Sequence, residues 1–192
     1  MLTRGVKISC DCLAASGTPK WAQRLAKAVT TGPSRNSSSF VAIRFALARI
    51  GAVLVPINFM LNASEIAFIL RSSGARTLCV GSEFLAVGQQ AAAQDTAVAS
   101  LIWLPQEGDA VAPAGLAQFS DLLTAADTAP AVPVDGQSLA QIVYTSGTES
   151  LPKGAMLTHD AVLWEYVSCC LEQEMLPGDS MLHALPLYHC AQ

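Results

Sequence analysis

The sequence predicts an α/β fold, mostly parallel sheets flanked by helices, and three observations carry that expectation. From Ser39 onward, stretches of helical period alternate with short Val-, Ile- and Leu-rich runs, the order expected when helices cover a parallel sheet. Ala52 to Ile57 is close to continuously apolar, as a strand buried on both faces is. The helical stretches also carry their own punctuation: Gly51 and Gly74 stand where helices should stop, and Asn62 with Glu65 three positions on forms a capping-box pattern.

Taken in order, residues 1–35 are weakly specified. Trp21 to Val29 suits a short Ala-rich helix, and Thr30 to Ser39 is a Thr, Gly, Pro, Ser and Asn cluster expected to be loop. Phe40, Ile43, Phe45, Leu47 and Ile50 predict a mostly buried helix, followed by a strand over Ala52 to Ile57. Asn62 then opens a helix through Leu70, Arg76 to Val80 is a strand, Glu83 to Ala93 a helix, and Ser100 to Leu104 a strand. Gln106 to Gly136 is Pro-, Ala-, Gly- and Asp-rich and reads as a connector, with a helical turn or two over Phe119 to Ala125. Thr158 caps a helix running to about Glu174, with Val162, Tyr166, Val167 and Cys170 near one face. Pro177-Gly178-Asp179 makes a turn, and Met181 to Leu185 is expected to be a strand.

Hydrophobic residues make up 52% of the chain and charged residues 14%, which excludes a largely disordered protein. A net charge of -4 leaves no electrostatic footprint for nucleic acid. The longest nearly apolar span, Phe40 to Ile57, is broken by Arg44, Arg49 and Pro56, so no membrane-spanning helix is expected. Arg4 and Lys7 are not followed by an apolar core of signal-peptide length, and the expected location is cytoplasmic. The six cysteines, Cys10, Cys12, Cys79, Cys169, Cys170 and Cys190, form no paired CxxC sets and are expected to be buried or idle thiols.

The stretch Gln141 to His159, QIVYTSGTESLPKGAMLTH, moves from an apolar run through a polar loop into a second apolar run, a strand, loop and strand. Small residues allow close backbone approach, the hydroxyls donate hydrogen bonds, and Lys153 supplies a compact charge, all of which suit a polyphosphate. By composition alone such a loop is more often an ordinary turn. It does not fit a Walker loop, because Pro152 stands where that pattern needs Gly and Gly154 follows Lys153 where it needs Ser or Thr.

The ordered string TSGTESLPKG resembles the phosphate-binding signature of the adenylate-forming (AMP-binding) superfamily, with Glu149 and Ser150 in place of the commoner Thr and Gly. GAVLVPINFMLNASEIAFILRSSGA is similar to that family's N-terminal domain, where a helix and a strand ending in Pro and Asn precede an L-x-x-x-E helix. The wording of the motifs is closest to fatty acyl-CoA synthetases. The resemblance implies that Ser146, Gly147, Thr148 and Lys153 hold the β and γ phosphates of ATP with Thr145 beside them, and that Glu149 is a candidate to position Mg²⁺ through water, if it is not simply a solvated loop acid. HALPLYHCAQ resembles the segment bordering the acyl pocket and adenylate, which carries over to Tyr188 and His189; a hydrogen-bonded turn histidine is the other reading of His189. No residue is expected to bind metal directly.

The resemblance covers most of residues 36–192 and implies a partial AMP-binding domain, with the catalytic Lys of the family beyond Gln192. In that family an apolar strand precedes a segment similar to Asn36-Ser37, and here that strand is expected to be missing, as a deletion or frame change would leave it. The implied function is an ATP-dependent acid-thiol ligase fragment acting on a small-molecule carboxylic acid, a fatty acid by its motif wording. ATP, Mg²⁺ and CoA are the implied cofactors, and the chain alone is expected to be inactive. The alternative is a nonenzymatic remnant or interaction module that retains the fold and weak phosphate binding.

Overall fold

A seven-stranded sheet with helices on both faces forms the frame. The computed structural model describes residues 29–31, 34–106, 109, 111–123, 132–145 and 151–189 of the chain. The strands are β1 (Val29–Thr31), β2 (Leu54–Pro56), β3 (Thr77–Gly81), β4 (Ser100–Leu104), β5 (Ala117–Gln118), β6 (Leu139–Thr145) and β7 (Lys153–Thr158), in the order β5-β4-β3-β1-β2-β6-β7. Every neighbouring pair is parallel except β6 and β7, which form an antiparallel hairpin with Thr145 opposite Lys153. This is the expected α/β class.

Helix α1 (Ser38–Arg49) begins where Ser37 accepts a hydrogen bond from the Phe40 amide and ends before Gly51, whose φ of +66° is left-handed. Phe40, Ile43 and Leu47 lie on its buried stripe, while Phe45 is 55% exposed. The sequence pattern overstates this helix: Phe45 follows Phe40 by five residues, about 140° around the axis, and so leaves the stripe.

Helix α2 (Ala63–Ser73) has the predicted capping box in full. The Asn62 side chain accepts from the amides of Ser64 and Glu65, and the Glu65 carboxylate accepts from the Asn62 amide at 2.8 Å. Gly74, with φ +65°, closes the helix. Asn62→Ala is expected to cost about 1 kcal/mol, measured as a lower urea midpoint at unchanged slope.

The core splits between the two faces because side chains alternate along each strand. On one face Val55 and Leu78 meet Ile66, Ile69 and Leu70 of α2 and Ala91 of α3 (Leu85–Ala92). On the other, Leu54, Cys79 and Ile102 meet Ile43 and Leu47 of α1 and Phe119. Complete burial pushes the Cys79 thiol up to about 12 from an ordinary 9.0. The native state therefore keeps this proton where the unfolded chain has lost it. That contribution to stability is intact below about pH 9 and fades as pH rises toward about 12. Stability should fall across this alkaline window less steeply in Cys79→Ala than in the native sequence, and exposed Cys169 and Cys170 should be alkylated long before Cys79.

Three expectations need correction. The strand expected to be missing is present: β1 lies in the centre of the sheet, pairing with both β2 and β3, so Thr30 and Thr31 are strand residues and Ser38 and Ser39 are helical, not loop. A gap between two central parallel strands would leave two rows of backbone groups unpaired, and even three residues relieve that cost. The connector has its expected helical turn, a 3₁₀ turn from Phe119 that docks into the core, but it also contributes β5 as an edge strand, which was not expected. Residues 181–185 form no strand, since no described strand lies alongside to complete a ladder. Asn36 instead hydrogen-bonds to the backbone there.

Helix α4 (His159–Glu172) starts at Thr158 as expected, and the Thr158 hydroxyl accepts from the Ala161 amide. It rests on the β6–β7 hairpin, and of the four residues the sequence puts near one face Val162 and Tyr166 are half-covered while Val167 and Cys170 are exposed. The expected helix over 21–29 lies outside the described residues apart from Val29, which opens β1. Among the described residues no helix is long and apolar enough to cross a membrane.

Candidate functional site

Ligand sites in parallel sheets form beyond the carboxyl ends of the strands, where chains leaving adjacent strands diverge. Here β2 and β6 end side by side. Beyond them is a cavity of about 330 Å³, within the size range of small-molecule sites. Pro56 and Asn58 following β2 form one side, Val143 to Thr145 of β6 another, and Tyr188 with His189 close over it. Ile69 of α2 reaches its floor.

The cavity wall is mainly apolar, with Asn58, Tyr144, Thr145, Tyr188 and His189 as its polar members. Asn58 is itself constrained, its side-chain oxygen accepting from the Met60 amide at 2.9 Å. Phe59 meets the Tyr188 ring edge-on at 5.4 Å between centroids and stacks on Phe84 at 5.7 Å. The Tyr188 and His189 rings are 6.4 Å apart, and the His189 amide donates to Pro186 O at 2.9 Å, closing a turn. A smaller space of about 40 Å³, reached by Arg44, Gln141 and Glu165, shares Pro56, Val143, Tyr188 and His189 with the cavity, so these four residues stand between the two.

The hairpin joins this cavity to the polar loop. Thr145 ends β6 at the cavity edge and Lys153 opens β7 directly across from it, the Thr145 hydroxyl donating a long bond of 3.4 Å to Lys153 O. Directly opposed residues in an antiparallel pair project from the same face, so the Lys153 side chain leaves the sheet on the side of Thr145. Gly154 is required one step further on: a Cβ there would come within 2.8 Å of Ile142 and 3.1 Å of the Tyr144 ring. The glycine lets Tyr144 cover the strand and line the cavity.

Three of the residues singled out from sequence, Thr145, Tyr188 and His189, therefore meet at one cavity although more than 40 positions separate the first from the others. Lys153 stands at the hairpin base beside them. Ser146, Gly147, Thr148 and Glu149 lie outside the described residues. Asn58, Phe59 and Asn36 were not assigned roles from sequence; the strand ending in Pro and Asn was the only signal for the first. Among the described residues no three His, Cys, Asp or Glu side chains gather as a metal site. The described part of the site thus offers no protein cage for Mg²⁺, an ion commonly held through substrate phosphates and one or two carboxylates.

Residues 34–192 match the AMP-binding enzyme family. The chain is 33% identical over 161 residues to a feruloyl-CoA synthase from Amycolatopsis sp., covering 81% of this chain and 28% of that protein. It is likewise 33% identical over 157 residues to a long-chain-fatty-acid–CoA ligase from Mycobacterium tuberculosis, covering 81% of this chain and 29% of that one. The ATP-bound crystal structure of MatB from Rhodopseudomonas palustris aligns with a TM-score of 0.71 and 25% identity, over 86% of this chain and 31% of that chain. The chain accordingly spans less than a third of the length of these curated relatives.

Proposed function

The chain belongs to the AMP-binding enzyme family, and on that premise we propose that it forms part of an ATP-dependent acid-thiol ligase, with residues 36–192 its partial AMP-binding domain and residues 1–35 a separate leading segment that nonetheless lends β1 to the sheet. One observation carries the reading: Thr145, Tyr188 and His189 line a single mostly apolar cavity at the ends of β2 and β6.

In the first step a carboxylate oxygen attacks the α-phosphorus of ATP, the bond to the bridging oxygen breaks, and pyrophosphate leaves with its electrons. In the second the CoA thiol, losing its proton, attacks the acyl carbon and AMP departs. Positioning and charge stabilisation dominate such steps. The hydroxyls and backbone amides of Thr145, Ser146, Gly147 and Thr148 give directional bonds to the phosphates, and Lys153 adds charge. Glu149 would help hold Mg²⁺, which would supply neutralisation of the phosphate charge. Tyr188 and His189 wall the acyl group and adenylate.

The apolar lining supports an acid with an apolar body. A long-chain fatty acid and ferulate both meet that description in the relatives' names, and the motif wording favours the fatty acid. These 192 residues span less than a third of the length of the relatives they match, and on their own they should give little or no acyl-CoA from acid, ATP and CoA. We place the protein in the cytoplasm.

Calorimetric titration with ATP and Mg²⁺, followed by displacement with acyl sulfamoyl adenosines bearing decanoyl or feruloyl groups, tests the site. Binding of both nucleotide classes in mutual competition is the expected result, with the decanoyl compound tighter. A chain that binds neither would remove the basis for the assignment, and rapid acyl-CoA formation by the chain alone would overturn its expected inactivity.

A further inference from the structure

We propose that Asn36 is a positioning residue for the aromatic wall of the cavity, clipping the chain at residues 185–187 so that Tyr188 is held over it. Its bearing on ligand binding rests on the function proposed above, whereas the clip itself does not. The Asn36 side-chain amide donates to Leu185 O at 2.8 Å, and its oxygen accepts from the Leu187 amide at 2.7 Å. These partners are 149 and 151 positions away in sequence. The amide side chain satisfies both because it carries a donor for the upstream carbonyl and an acceptor for the downstream N–H.

The surroundings give the clip its purpose. Residues 181–185 sit in no sheet ladder and Leu185 is 51% exposed, so packing alone does little to fix this segment. The two bonds supply at one point the backbone satisfaction that a neighbouring strand would provide. The anchor is firm on the other side. Ser37, the next residue, caps α1, and the helix is fastened into the core by Phe40 and Ile43 only a turn away.

Immediately after the clip, the Pro186 to His189 turn delivers Tyr188 to the edge of Phe59, which Phe84 backs. Thus α1 at the front of the sheet sets the position of a cavity wall made by residues near 188. The adjacent Arg35–Glu83 ion pair adds little to this, as both side chains are about half exposed or more.

The test uses the full chain, with amide exchange at Leu187 and the Tyr188 ring-proton shifts as readouts. The edge-on Phe59 ring should displace those shifts from their free values. In Asn36→Ala, Leu187 should exchange about tenfold faster and the Tyr188 shifts should move toward free tyrosine, while Ala155 in the hairpin stays protected. Asn36→Asp keeps the acceptor for Leu187 but faces Leu185 O with a carboxylate, so it should protect Leu187 partly and still displace Tyr188. Should Asn36→Ala fail to fold, Asn36→Asp decides alone. If the Tyr188 shifts or the Leu187 exchange remain at native values in a folded variant, the inference is overturned. A decanoyl sulfamoyl adenosine should bind Asn36→Ala about tenfold more weakly. Native protein that fails to bind it would refute the ligase reading, and the exchange and ring-shift results would still judge the clip.

Discussion

Replacing Ile69 by Ala should lower stability by about 3 kcal/mol and at the same time deepen the proposed acyl cavity. Ile69 is 1% exposed, packs in the α2 cluster and also reaches the cavity floor. Removing three carbons there loses their transfer free energy and leaves space that close-packed neighbours only partly refill. Leu70 is the internal control. It is fully buried in the same cluster without lining the cavity, so Leu70→Ala should cost about as much stability and leave ligand preference unchanged. Chemical denaturation gives the first quantity, and competition between decanoyl and bulkier feruloyl adenosine analogues the second. Ile69→Ala should tilt that competition toward the feruloyl analogue. Identical preferences in the two variants would show that the floor of this cavity does not contact the acyl group.

What the sequence discloses about this chain depends on how local the determining physics is. Asn62, Glu65 and Gly74 act within one helix, and the structure has each in its expected bond or backbone conformation. The β6–loop–β7 order and the Thr158 cap are local too. β1 escaped because three residues around two threonines carry almost no pattern; the requirement for a strand there comes from β2 and β3, which are remote in sequence. Met181 to Leu185 misled in the opposite way, since an apolar run has strand character only where a partner strand is available. The sheet edge, the single stripe of α1 and the Asn36 contacts are likewise properties of neighbours. For the site, the resemblance singled out Thr145, Tyr188 and His189 one motif at a time. Their meeting at one cavity follows from β2 and β6 being adjacent, a pairing that no local pattern records.

Loss of the Lys153 ammonium should weaken Mg²⁺-ATP binding by roughly 10- to 100-fold in Lys153→Ala, the cost of one charge-assisted contact to phosphate. The hairpin gives the reason to expect so local an effect. Lys153 is exposed and sits opposite Thr145 through backbone pairing, so its side chain can be removed without disturbing the core or the cavity floor. Thermal stability without nucleotide should stay within about 0.5 kcal/mol of native. Lys153→Arg should recover part of the affinity, because the charge returns with a bulkier, forked geometry. Charge also predicts the salt response: raising ionic strength should weaken nucleotide binding in the native chain more than in Lys153→Ala. If Lys153→Ala binds Mg²⁺-ATP as the native chain does at low salt, the polar loop is not a phosphate grip. The cavity beside it would then need a different ligand from the one proposed here.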